Sequence, residues 1–285
     1  MNNAPTLSPI IQGFWRLVSW GWTTPQLSAF LGQCLDLGVT TFDVAEIYSA
    51  GEVETQLGRA LKDFRREDVQ LVSKTGIVRN TDHYYDTRHD HIVEACKASL
   101  RRLGTDYLDL YLIHRPDPCT DPWEVARAMD DLLSAGLIRA AGVSNFNPAQ
   151  FSALNTAMGG RLFTNQIEVS PLQFEHFHSG MIDLMCQLRV RPMVWSPLAG
   201  GRLFIGEDPA AVSVRACLEE IARAHHTTPE TVAYAWLLYH PVGFLPICGS
   251  SKIERVKAAV AALDVKLDHP EWYHLYLASG ENILK

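Results

Sequence analysis

TTFDVAEIYSAGEVETQLGRALK, residues 40–62, is the stretch on which the fold turns. An apolar run ends on Asp43, Tyr48 follows in a turn, and from Val53 onward apolar residues recur at helical spacing. A buried strand that leads straight into an amphipathic helix is one β/α unit. It leaves a question of its own, which is why a buried strand should end on a carboxylate with a phenol in the next turn.

The unit repeats along the chain. Eight runs have the composition of strands: IIQGFW (10–15), TTFDVA (40–45), VQLVSKTG (69–76), YLDLYLIH (107–114), AAGVSN (140–145), FTNQIEVS (163–170), PMVWSPL (192–198) and GFLPICG (243–249). Between them, apolar residues recur at i, i+3, i+4 and i+7 over 25–38, 53–64, 91–104, 122–136, 148–158, 181–190 and a longer stretch from 214 to 240. Gly38, Gly104 and Gly136 stand where helices should stop. The strands are too apolar to expose one face, which predicts a parallel sheet covered on both sides. Eight such units predict a closed (β/α)8 TIM barrel of the α/β class, a single domain over residues 1–285. The rival doubly wound fold requires G-x-G-x-x-G after its first strand, and the chain has none. GRLF at 160–163 recurs at 201–204 without similarity around it and is read as chance.

Composition narrows the function. With 47% apolar and 20% charged residues, the chain reads as a soluble globular protein. A net charge of −7 without long runs of like charge offers no footprint for nucleic acid or an anionic membrane, so a small-molecule partner is expected. The N-terminal MNNAPTLSPIIQ lacks the basic start and apolar core of a signal peptide, and a cytoplasmic protein is expected, monomeric or weakly homo-oligomeric. Six cysteines without a C-x-x-C pair are expected to be reduced, most of them packed as small hydrophobes.

In a barrel of this kind the chemistry is built at the C-terminal ends of the strands. Asp43 ends the second, with Tyr48 in the loop after it; Ser73-Lys74 end the third, His114-Arg115 the fourth, Ser144-Asn145 the fifth, and Asn165-Gln166 lie on the sixth. Each has an ordinary alternative: Asp43 as a helix cap, Lys74 as its structural partner, His114 as a core histidine. Together they are harder to treat as filler, because buried charge is costly unless paired.

At these positions the chain resembles the aldo-keto reductase superfamily. DVAEIY, LVSKTG, LYLIHRPDP, AAGVSNF, TNQIEVSP, WSPLAGGRL and PICGSSKIERV fall in that family's order and spacing. The resemblance implies a (β/α)8 barrel that uses NADPH/NADP+ without a dinucleotide-binding domain and reduces aldehyde or ketone carbonyls to alcohols. It implies a catalytic tetrad of Asp43, Tyr48, Lys74 and His114. A free phenol, with pKa near 10, is a reluctant acid; Lys74 would lower it, Asp43 would hold the lysine, and His114 would position the carbonyl oxygen. The same resemblance puts Ser144, Asn145 and Gln166 on the nicotinamide carboxamide, Trp195 against the ring, and the backbone of Ser196, Leu198, Gly200, Gly201 and Arg202 around the pyrophosphate. It puts Ser250, Lys252 and Arg255 on the 2′-phosphate. Trp15, beside Arg16 at the end of the first strand, would contact substrate.

Departures from the family pattern are local. Trp195 stands where a tyrosine is usual, Ser49 where glycine is common, and Ala258 and Ala259 where many relatives have polar residues around the adenine. Tyr84 and Tyr85 lie in a polar loop after the third strand, as ordinary loop aromatics or as a cover over the site. His89 and His91, two apart at a helix start, are read as surface residues. A second functional reading is a cofactor-sensing regulatory subunit with little turnover. A third, a metal-dependent hydrolase built on Asp43 and His114, would want further ligands where the chain has Lys, Ser and Gln.

Overall fold

The computed structural model describes residues 4–79 and 83–281. Ten strands lie among them: β1 (Ile11–Gly13), β2 (Thr41–Asp43), β3 (Gln70–Thr75), β4 (Ile77–Arg79), β5 (His83–Tyr85), β6 (Leu108–Ile113), β7 (Ile138–Ser144), β8 (Asn165–Glu168), β9 (Met193–Trp195) and β10 (Leu245–Cys248). Eight of these close a barrel in the order β1-β10-β9-β8-β7-β6-β3-β2. This is the (β/α)8 architecture the β/α repeat predicts.

The register sets the site. Asp43 pairs with Val72, Lys74 with Leu112 and Ser144 with Gln166, so the ends of β2, β3, β7 and β8 stand at neighbouring levels. Gly38, Gly104 and Gly136 take positive φ of 76°, 64° and 71° after their helices, a conformation that costs any L side chain strain. Helix starts are set by caps followed by proline: Asp121 accepts from Trp123 N–H before Pro122, and Asn147 from Gln150 N–H before Pro148.

Chain contacts divide the molecule into two compact units, residues 1–166 with 249–251, and residues 167–248 with 252–285. In the first, strand side chains such as Phe42, Leu71, Tyr111 and Ile113 are fully buried. In the second, the Trp236 and Trp272 rings stack with centroids 5.1 Å apart, and each indole N–H donates to the other's backbone carbonyl at 3.1 Å. Phe174 and Phe177 pack edge-on or tilted against the pair.

Two expectations are corrected. The segment after β3 is not all loop: β4 and β5 pair antiparallel, with Val78 opposite Tyr84, because the two strands carry β-branched and aromatic residues. Tyr84 and Tyr85 there are exposed and line a polar cavity of about 220 Å³ with Asp86, Thr87, Asp117 and Glu124. Of the six cysteines, none in a disulfide, only Cys34, Cys96 and Cys248 are buried; Cys119 and Cys186 are exposed, because helix and loop positions at the surface accept a small thiol as readily as the core. His89 stands at the surface as read, its two ring nitrogens 2.9 Å from Asp90 and Asp131. No helix among the described residues is long and apolar enough to cross a membrane.

Candidate active site

Successive residues of a strand point to opposite faces, and β3 uses both. Ser73 Oγ donates to Glu54 of the helix Glu52–Leu61 at 2.6 Å, whereas Lys74 turns the other way, to Asp43. The Lys74 ammonium donates to Asp43 Oδ1 at 2.6 Å, to the Val44 carbonyl at 2.8 Å and to the Tyr48 hydroxyl at 3.4 Å. Lys74 is 0% exposed and Asp43 4%. The second carboxylate oxygen of Asp43 accepts from Gln166 Nε2 at 2.8 Å. The carboxylate at the end of β2 is therefore the anchor of a buried cation, and the phenol in the next turn is that cation's third partner. The His114 ring meets Tyr48 edge-on, centroids 5.7 Å apart. The four residues proposed from the strand ends thus form one cluster.

Their protonation follows from burial and charge. Burial around the hydroxyl raises the Tyr48 pKa, outweighing Lys74, which pulls it down. The expectation of a net lowering is corrected here: the cation acts in the expected direction, but removing water from a phenolate is the larger effect. Burial opposes the charge on Lys74, yet Asp43 and Tyr48 together bring its pKa above the ordinary lysine value. His114 is pushed well below the ordinary histidine value by burial, then by Lys74, Arg115 and Arg79. Its imidazole is neutral at physiological pH, and its Nδ1 is buried without a hydrogen-bond partner among the described residues.

Beside the cluster, Ser144 Oγ donates to the Gln166 carbonyl at 2.9 Å, and Asn145 Nδ2 donates to Ser144 Oγ at 2.7 Å. Asn145 holds φ at 60°, a left-handed conformation asparagine tolerates. The Ser250 carbonyl accepts from the buried Gln12 amide at 3.2 Å. Trp15 lies beyond the end of β1 and is 63% exposed, with the Arg16 guanidinium 5.2 Å from its ring centre.

In the second unit, Trp195 ends β9 and is partly exposed. The loop after it takes positive φ at Ser196, Ala199, Gly200 and Gly201, and the amides of Ala199 and Gly201 bond back to Ser196 and Leu198. A Cβ at Gly200 or Gly201 would meet nothing within 4 Å, so this loop is open on one side. The Arg202 guanidinium is bidentate to Asp208, at 2.9 and 2.8 Å. Lys252 is the N-cap residue of the helix Ile253–Ala261, with no cap bond from its side chain, and Arg255 is exposed in the first turn.

Comparison with known proteins bears out the family that the motifs resemble. The family model described as "Aldo/keto reductase family" matches residues 9–275. The chain belongs to the aldo/keto reductase family. An oxidoreductase of Escherichia coli, YdhF, is 43% identical over 284 residues, 96% of this chain and 94% of the relative. A 6-dehydroglucose reductase of Agrobacterium fabrum is 41% identical over 288 residues, 97% of this chain and 96% of the relative. Among solved structures, an aldo/keto reductase from Klebsiella pneumoniae in complex with NADP and acetate superposes with a TM-score of 0.83 at 30% identity, covering 98% of this chain and 94% of that one.

Two features of this family member were missed in the sequence. The Gln166 bond to Asp43 joins residues 123 apart, and no local pattern announces it. Glu46, in the turn before Tyr48, bonds the end of β3; its place inside DVAEIY was visible, but its partner was not.

Proposed function

We propose that this chain is an NADPH-dependent oxidoreductase that reduces aldehyde or ketone carbonyls to alcohols, with Tyr48 as general acid. The observation that carries the reading is the buried Lys74 ammonium held between Asp43 and the Tyr48 hydroxyl beside a neutral histidine. When bound, the cofactor supplies hydride to the carbonyl carbon. The protein's own task is the proton. Tyr48 keeps its proton at neutral pH because its pKa is raised, and Lys74 stabilises the phenolate left after transfer to the developing alkoxide. Asp43, fixed by Gln166, keeps the lysine charged and in place. Neutral His114 offers a hydrogen bond to the carbonyl oxygen without competing for the proton.

The residues fit the cofactor. The polar Ser144, Asn145 and Gln166 suit a nicotinamide carboxamide, and Trp195 presents a broad aromatic face. The open, glycine-bearing loop suits a pyrophosphate; with the Ala199 and Gly201 amides already engaged, its cradle falls to Ser196, Leu198 and Gly200. Arg202, drawn to Asp208, is assigned through its position in that loop. Ser250, Lys252 and Arg255 are assigned to the 2′-phosphate, Arg255 by its planar fork and the helix start by its amides. Trp15 is assigned to the substrate by its exposure. The absence of a long membrane-crossing helix among the described residues is consistent with the cytoplasmic location we propose.

The test is Tyr48→Phe, assayed by NADPH oxidation with 4-nitrobenzaldehyde and a panel of ketones, dicarbonyls and 6-dehydroglucose. The turnover number falls by about 10²–10⁴-fold, with NADPH affinity nearly unchanged. Retention of more than roughly a tenth of wild-type turnover, with chemistry rate-limiting, removes Tyr48 as the acid. Tight NADPH binding by a wild-type protein with almost no turnover on any carbonyl would replace the enzyme reading with that of a cofactor sensor.

A further inference from the structure

Behind the wall that carries the tetrad lies a second polar layer. Glu46 stands two residues before Tyr48. Its backbone N–H donates to the Lys74 carbonyl at 3.2 Å, and its Oε1 accepts from Thr75 Oγ1 at 2.7 Å and from the Gly76 amide at 3.3 Å. One residue of the Tyr48 loop is thereby tied to three consecutive residues at the end of β3, the first of them Lys74. The loop needs such a tie. Ser49 and Ala50, directly after Tyr48, hold φ at 47° and 52°, a conformation that non-glycine residues keep only where the surroundings impose it.

We propose that Glu46, as a neutral carboxylic acid, is a positioning residue that holds the Tyr48 hydroxyl against Lys74, so that turnover depends on a proton carried on the far side of the barrel wall. This rests on the reading of Tyr48 as the acid. Both of these donors converge on Oε1, a geometry that the carbonyl oxygen of an acid or an amide offers as well.

Burial disfavours the charged form, and the groups around the carboxyl divide over it. The helix Glu52–Leu61 contributes Glu54, a fully buried carboxylate. The helix His89–Leu103 contributes Arg102, whose Nε is already held by Glu54 at 2.6 Å, and the buried Cys96. β6 contributes Tyr111, fully buried beside Thr75, its hydroxyl in no hydrogen bond of good geometry. Burial above all, opposed first by the Thr75 bond, helped by Glu54, and opposed again by the Gly76 bond and Arg102, raises the Glu46 carboxyl to about 7. A carboxyl whose folded pKa is raised stabilises the fold at low pH, and that contribution is lost as pH rises from the unfolded value through the folded one. The Thr75 and Gly76 bonds favour the charged form, but burial outweighs them, so a charged Glu46, now a second carboxylate beside Glu54, is drawn toward water and away from the tie. Tyr48 and Lys74 titrate above this window and His114 below it.

The experiment follows kcat, KM and NADPH affinity of the intact enzyme from pH 5.5 to 9 with 4-nitrobenzaldehyde, for wild type, Glu46→Gln, Glu46→Ala and Tyr48→Phe. Wild-type kcat is expected to fall several-fold as pH rises through about 7. Glu46→Gln presents the same carbonyl acceptor without a titrating proton; it keeps the low-pH kcat within about twofold and lacks the step. Glu46→Ala has kcat lowered about tenfold at every pH, with NADPH affinity unchanged, since small displacements of a catalytic group carry losses of this order or larger. A Gln variant that retains the wild-type step, or an Ala variant with wild-type kcat, overturns the proposal. If the Ala variant does not fold, the Gln profile alone decides. An active Tyr48→Phe would remove the underlying reading; an inactive one beside unaffected Glu46 variants would remove only this inference.

Discussion

Replacing Lys74 with methionine tests whether the tetrad is a buried, mutually dependent unit. Methionine keeps most of the side-chain volume and removes the charge. Asp43, 4% exposed, then loses the ammonium 2.6 Å away and retains only the neutral Gln166 donor at 2.8 Å, and the Val44 carbonyl loses its donor at 2.8 Å. Breaking a buried ion pair by deleting one partner typically costs about 3–5 kcal/mol. At roughly 2–4 °C per kcal/mol for large domains, the melting temperature should fall by about 10 °C, measured by calorimetry or tryptophan fluorescence. The double variant Asp43→Asn, Lys74→Met removes both charges and should recover most of the loss, a coupling that independent sites do not show. A melting shift below about 2 °C, or a double variant no better than the single one, would refute the argument that these charges are buried and paired.

Arg255→Ala should weaken NADPH binding about 10–100-fold and leave NADH binding almost unchanged, as measured by tryptophan quenching, since a bond to a charged group contributes roughly 1.5–3 kcal/mol. Equal losses for both cofactors would move Arg255 elsewhere on the nucleotide. Gly58→Ala should destabilise by about 1–3 kcal/mol in denaturant titration, because a Cβ there would lie 2.6 Å from the carbonyl oxygens of Arg102 and Leu103. Nitrogen NMR of His114 should show a neutral imidazole from pH 6.5 upward; because its folded pKa lies below the unfolded one, acidification through 6.5 protonates the unfolded chain first and lowers stability.

The architecture was legible because it is written in a repeat. Each strand is apolar throughout and each helix amphipathic, and those periods persist whatever the tertiary contacts. The hairpin β4/β5 escaped because HYYD reads equally as turn or strand, and only cross-strand pairing decides. The tetrad residues were legible by position: strand ends in a barrel converge, so Asp43, Lys74 and His114, far apart in sequence, meet. What sequence spacing does not encode is the second partner of each group. Gln166 on Asp43 and Glu46 on Thr75 depend on register and loop path, and both sit within motifs whose other residues already had roles.

The same limit explains Tyr48. Its neighbours in sequence and at the strand ends announce a cation, and a cation alone lowers a phenol's pKa. Burial is a property of the folded pocket, and here it outweighs the cation. The outcome suits the proposed direction of reaction. A donor whose pKa fell to neutrality would have lost half its protons at pH 7, whereas one held above 10 is fully protonated when the carbonyl arrives. In the proposed mechanism the lysine acts on the phenolate, which exists only once the alkoxide has taken the proton. A cation that favours the product of proton transfer more than its reactant lowers the barrier to that transfer, and the dry wall that raises the pKa also strengthens the attraction. Desolvation penalises the phenolate and the cation supports it, and the low dielectric that imposes the first effect strengthens the second.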